Sequence, residues 1–99
     1  MIKVKARKSK NFIDSAFGLM FGNTNYPFFL NTRFGIHTFF VRSTIVVYIL
    51  DDDFIVKRIS RVKPRGIFFW DLKYQNVLEV PISNIVNKKI KVGDRVRIV

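Results

Sequence analysis

The stretch Ile36-His-Thr-Phe-Phe-Val41, Arg42-Ser43, Thr44-Ile-Val-Val-Tyr-Ile-Leu50, Asp51-Asp52-Asp53 and Phe54-Ile-Val56 running on to Val62 decides the fold. Thr44 to Leu50 is almost wholly β-branched or aromatic and has no polar face, the pattern of a strand covered on both sides. The three aspartates stop it sharply. Short carboxylates satisfy nearby backbone amides and tolerate unusual dihedrals, so an aspartate knot between two apolar runs predicts a hairpin turn. Residues 55 to 62 have apolar spacing that suits a helix as well as a strand. Their β-branched content and their place directly after a turn favour a strand, with Lys57, Arg58 and Arg61 as charges that a sheet edge tolerates.

Working outward, residues 2 to 7 alternate apolar and basic, which predicts a half-exposed strand. Phe12, Ala16, Leu19 and Met20 recur at helical spacing behind a capping Asn11, which predicts a short helix over about 12 to 20. Phe28-Phe29-Leu30 is a short strand after Pro27, and Ile67 to Leu72 is a further apolar segment. Tyr74 to Val80 alternates as a strand that Pro81 breaks. Ser83 is placed to cap one helical turn through Ile85 and Val86, and Gly93-Asp94 makes a turn before a last strand, Arg95 to Val99. Many short strands with one or two short helices define an all-β class, a small β-barrel or sandwich built around the central hairpin.

Ninety-nine residues suffice for one domain over 1–99 with a modest core. Eighteen Lys and Arg against seven acids give a net charge of +11, a field that attracts nucleic acid, anionic lipid or acidic proteins. The plainer alternative is a lysine-rich solubilising surface of the kind favoured at high temperature. The chain has no cysteine, so disulfides, thiolate metal sites and cysteine nucleophiles are excluded, in keeping with a cytoplasmic protein. The basic start is not followed by the apolar stretch of a signal peptide, and no apolar run approaches the roughly 20 residues of a membrane-spanning helix.

Several motifs occur together in order: Gly18-Leu-Met-Phe21, Ile36-His-Thr-Phe-Phe-Val41, Tyr48-Ile-Leu-Asp51, Lys63-Pro64, Val77-Leu-Glu-Val-Pro81 and Gly93-Asp-Arg-Val96. In this order and spacing the chain resembles the "domain of unknown function 192" family, and the segment with His37 resembles its archaeal branch. The resemblance covers Phe12 to Val99 and implies a compact β-barrel-like domain whose biochemical role is uncharacterised. Two departures stand out. The family's Pro-Ile-Asp or Pro-Leu-Asp before the long strand is here Thr44-Ile45-Val46, and its Glu-Arg pair before Gly-Leu-Met is here Asp14-Ser15. A site built on either set of charges is not expected in this chain, and Val46 is read as core.

No set of residues makes a catalytic constellation. The aspartates lack the spacing, glycine and distal glutamate of an EF-hand, so no metal is expected there. His37 is the sole histidine, and a histidine inside an apolar strand more often satisfies a local hydrogen bond than acts as a base. Glu79 and Asp94 match positions of the resembling family, with ion pairing or turn-making as their plainer roles. The five scattered glycines form no phosphate-binding loop, and no cofactor is expected. The paired aromatics Phe28-Phe29, Phe39-Phe40 and Phe68-Phe69-Trp70 place rings on opposite sides of a strand, either both covered or one of them facing a cleft, a dimer partner or stacked bases.

The function expected is a small, basic, non-catalytic binding module for a small ligand or a protein, acting as monomer or homodimer. Its candidate surface is His37, Phe39, Phe69, Trp70, Tyr74, Glu79, Arg58 and Arg61. The alternative is weak, sequence-indifferent binding of single-stranded nucleic acid on exposed rings beside basic residues.

Overall fold

The computed structural model describes residues 1–8, 27–31, 36–37, 44–63, 66–71 and 73–99. Among these, the strands are β1 Ile2–Val4, β2 Arg7–Lys8, β3 Phe28–Asn31, β4 Ile36–His37, β5 Ile45–Leu50, β6 Val56–Val62, β7 Ile67–Phe68, β8 Asn76–Pro81 and β9 Val96–Ile98, with a 3₁₀ turn over Ile85–Lys88. The expected helix over about 12 to 20 lies outside the described residues.

All six residues of β5 are buried, as its lack of a polar face requires. It sits inside a five-stranded sheet of order β2-β3-β8-β5-β6, antiparallel to both β6 and β8. Successive side chains point to opposite faces of a strand. Ile45, Val47 and Ile49 therefore join Phe28, Leu30, Val62, Trp70 and Val77 on the first face. On the second face, Val46, Tyr48 and Leu50 join Leu78, Val80 and Val56 beneath Val4, Ile90 and Val96. That second layer is supplied by a separate two-stranded parallel sheet, β1 with β9, in which Ile2 pairs with Val96 and Val4 with Ile98.

The all-β class holds, in the layered form. Among the described residues the five-stranded sheet stays open, with β2 and β6 as its edges, and does not close as a barrel. Charge explains the β6 edge. Lys57, Arg58 and Arg61 stay exposed there, and charged edges resist further pairing. Residues 2 to 8 are two short strands in different sheets and not one, since β1 follows β9 while β2 follows β3. The alternation of β1 is as expected, with Lys3 exposed and Val4 buried. β8 is buried throughout in spite of its alternating polarity.

The hairpin turn does more than sit in solvent. Asp51 Oδ1 accepts the amides of Asp53 and Ile55, each at 2.9 Å, while Lys57 Nζ lies 3.6 Å from Oδ2. These donors, the Ile55 amide foremost, hold the Asp51 carboxyl below its ordinary range. Phe54 takes a left-handed backbone conformation, φ 64°, where glycine is the easier residue. Its ring packs on Phe29 at 5.6 Å and its carbonyl accepts the Val96 amide at 2.9 Å, so packing and pairing hold the strained position. At the other end of β8, Asn84 rather than Ser83 caps the turn, its Oδ1 accepting the Val86 amide at 2.9 Å. Tyr48 donates its hydroxyl to Asn87 Oδ1, and Asn87 Nδ2 donates to the Pro81 carbonyl at 2.8 Å, which ties this turn to the sheet.

Val46 is 5% exposed and packs on the second face. Val46→Asp buries an unpaired carboxyl and is expected to destabilise the fold by roughly 2 to 5 kcal/mol. Denaturant unfolding beside Val46→Ala, which loses packing only, checks this; parental stability in the Asp variant would mean a polar surrounding at residue 46.

Candidate functional site

Two polar side chains are buried in β8, and they are treated differently. Asn76 is satisfied: its Nδ2 donates to the Asp51 carbonyl at 3.2 Å and its Oδ1 accepts Asn31 Nδ2 at 3.1 Å. Glu79, 4% exposed, has no hydrogen bond or ion pair to its carboxyl among the described residues. It stands opposite Phe28 on one neighbouring strand and Val47 on the other, both on the first face. Loss of water with no compensating donor pushes its pKa up from 4.5 to about 8, so the acid is mostly protonated at neutral pH. A protonated carboxyl can both donate and accept, and here that capacity lies unused among the described residues within an apolar layer.

The same face carries a chain of rings. Arg58 lies over the Phe68 ring at 4.7 Å from its centre, and Phe68 packs on Trp70 at 5.8 Å. Trp70, 8% exposed, donates Nε1–H to the Tyr74 carbonyl at 2.8 Å, and the Tyr74 ring packs against the cluster with Lys73 over it at 5.2 Å. Ring electrostatics favour the guanidinium's place over Phe68, and the backbone carbonyl orients the buried indole.

Of the residues expected to form a binding surface, Glu79, Trp70, Tyr74 and Arg58 belong to this first face. Phe69 is next to it in sequence and 66% exposed. Arg61 pairs with Val46 and so stands on the second face, apart from Arg58. His37 pairs through β4 with Ile67, and Phe39 lies outside the described residues. Trp70 is a core residue and not an open platform. The Phe28-Phe29 pair is covered on both faces, Phe28 buried and Phe29 half-buried. Asp94 makes a turn, its Oδ2 accepting the Lys91 amide at 2.8 Å. Among the described residues no three His, Asp or Glu side chains converge as metal ligands.

Two recesses lie away from Glu79, and neither was foreseen from sequence. One, about 330 Å³, is lined by Met1, Asp53, Phe54, Arg95, Arg97 and Ile98. The other, about 290 Å³, is lined among others by Lys3, Val4, Lys5, Ile85 and Lys89. Only the basic alternation of Lys3 and Lys5 hinted at it.

An all-β protein with, among the described residues, one buried acid is the class these features define. A UPF0127 protein of Pyrococcus abyssi is 33% identical over 100 residues, covering 93% of this chain and 84% of the relative. A UPF0127 protein of Pyrococcus horikoshii is 30% identical over 99 residues, covering 94% and 86%. The chain belongs to the UPF0127 family. No family model and no solved structure matches it, so the name "domain of unknown function 192" gains no match of its own. Among the described residues no helix is long and apolar enough to cross a membrane.

Between pH 4.5 and about 8 the folded chain keeps a proton on Glu79 that the unfolded chain has released. Stability from this group is therefore full below pH 4.5 and is lost as pH rises through about 8. Asp51 acts in the opposite sense and only as pH falls below its ordinary 3.8, so the two windows do not overlap. Unfolding free energy followed across the upper window should fall with rising pH in the parent and lose most of that slope in Glu79→Gln.

Proposed function

We propose that this chain is a non-catalytic binding module that takes a small polar ligand on the first face of its sheet, with Glu79 as the polar anchor. The observation that carries it is the burial of Glu79 with no partner to its carboxyl among the described residues. A buried polar group left unsatisfied costs about 1 to 3 kcal/mol, and folds keep such groups where they serve a site. The rings of Phe68, Trp70 and Tyr74 on the same face supply the apolar lining that small-ligand sites combine with a few polar groups. A protonated carboxyl suits a neutral ligand carrying both a donor and an acceptor, such as an amide or an alcohol.

Nucleic-acid binding ranks second because base stacking needs open rings. Trp70 is buried and Tyr74 half-buried, which leaves Phe69 as the open ring of the predicted set among the described residues. Retention on oligonucleotides at low salt is expected to be weak and to vanish near physiological ionic strength, with Phe69→Ala unchanged. Tight binding at that salt, lost in Phe69→Ala, would reverse the ranking.

The ligand reading is tested by pairing stability with binding. Glu79→Met replaces the acid by an apolar chain of similar length and is expected to raise stability by about 1 to 3 kcal/mol in denaturant unfolding. A thermal-shift screen of small amides and alcohols should give compounds that stabilise the parent and not Glu79→Met. A destabilised Glu79→Met together with an empty screen would assign Glu79 a structural role.

A further inference from the structure

The recess of about 290 Å³ at the other layer of the molecule has its own chemistry. Lys3, Lys5 and Lys89 line it together with Val4, Pro27, Asn84, Ile85 and Val86, and no acid is among them. All three lysines are exposed, and none forms an ion pair among the described residues. Like charges brought to one concavity raise the local positive potential and favour an anionic occupant. Aliphatic side chains complete the lining, and Ile85 stands 67% exposed beside the lysines. An apolar residue of that exposure at a cationic recess calls for a ligand that carries apolar groups as well as negative charge.

The backbone offers a third feature. Lys3, Val4 and Lys5 are consecutive, so the recess runs along β1. Among the described residues β1 pairs with β9 and with no other strand, leaving its second edge open. An open edge presents amides and carbonyls in the pattern that a further strand satisfies. A strand added there alternates its side chains between two sides, so that acidic residues can meet the lysines while apolar ones meet Ile85 and Val86. Nucleic acid suits the recess less well. Its lining holds no aromatic ring for a base, and aliphatic groups gain nothing from a sugar-phosphate backbone.

We propose that this recess docks an extended acidic segment of a partner protein, added as a strand to the open edge of β1 with its carboxylates on Lys3, Lys5 and Lys89. The surface is independent of Glu79, so the small-ligand site and the docking groove stand or fall separately.

The probe is a short fluorescent peptide of alternating Glu and Val, titrated with the full chain near physiological ionic strength, about 0.15 M, and followed by anisotropy. Saturable one-to-one binding is expected, with no binding of the matching Lys and Val peptide. Lys3→Glu/Lys89→Glu should weaken binding about tenfold or more. Arg61→Glu, equal in charge change per site but on the exposed edge β6, should leave it nearly unchanged. Ile85→Ser should weaken it as well, and N-methylation of every second peptide amide should abolish it in one of the two registers. Circular dichroism and melting of each variant establish that the fold is kept. Equal loss in Arg61→Glu would reduce the effect to the general field of the protein and overturn the proposal. Tighter binding of a short oligothymidylate than of the peptide, or binding unaffected by N-methylation in both registers, would overturn it too.

Discussion

A strand with no polar face has to be enclosed on every side, and β5 imposes that requirement on the whole chain. Its two edges must be paired, which brings β8 to one side and β6 to the other. Its two faces must be dry: on the first it clusters with Phe28, Leu30 and Val62 of the same sheet and with Trp70, and on the second it is met by the β1–β9 pair and Ile90. Each layer contributes through burial of aliphatic and aromatic area, at about 25 cal/mol per Å² removed from water. The charged residues then have few places to go. Lys57, Arg58 and Arg61 end up on the exposed edge, and Lys3 and Lys5 on the outward side of β1 and just beyond it.

Within that enclosure Glu79 breaks a rule that its neighbour Asn76 obeys. Both lie in a strand buried from end to end, yet Asn76 spans Asp51 and Asn31 while Glu79 is lined by Phe28 and Val47. Asn76 secures the hairpin to the sheet by hydrogen bonding. Glu79 secures nothing of the kind among the described residues, and its burial works against stability. A local choice that opposes the fold is where function is most often found.

Much of the frame was legible in the sequence because it rests on periodicity and turn chemistry. The apolar run from Thr44 to Leu50 and the aspartate knot gave β5 and its hairpin with β6. Gly93-Asp94 marked a turn that the structure has, while Pro81, read as breaking the strand Tyr74 to Val80, is the last residue of β8, which runs Asn76–Pro81 and pairs Pro81 with Ile45. What periodicity does not encode is who pairs with whom. Nothing local tells Ile2 to Val4 to follow β9 and Arg7-Lys8 to follow β3, since the partners are far off in sequence. The difference between Asn84 and Ser83 as cap lies within one residue, finer than turn propensities resolve. The site was half visible. The chain suggests Glu79 as a family position, but its isolation is a fact of three-dimensional packing, and Arg58 and Arg61 fall on opposite faces because their spacing along a strand is odd. Trp70 was expected at a surface and is held inward by its bond to the Tyr74 carbonyl.

The parallel pairing of β1 with β9 joins residues 2–4 to residues 96–98, almost the whole length of the chain apart. Contacts of such sequence separation carry a loop-closure cost that local turns avoid, and they raise the contact order on which folding speed depends. During synthesis β1 leaves the ribosome long before β9, so Val4 lacks its pairing with Ile98 until β9 follows. The basic recess beside β1 joins residues 3–5 to residues 84–89 in the same way, so a partner that recognises it would be reading a long-range contact already made.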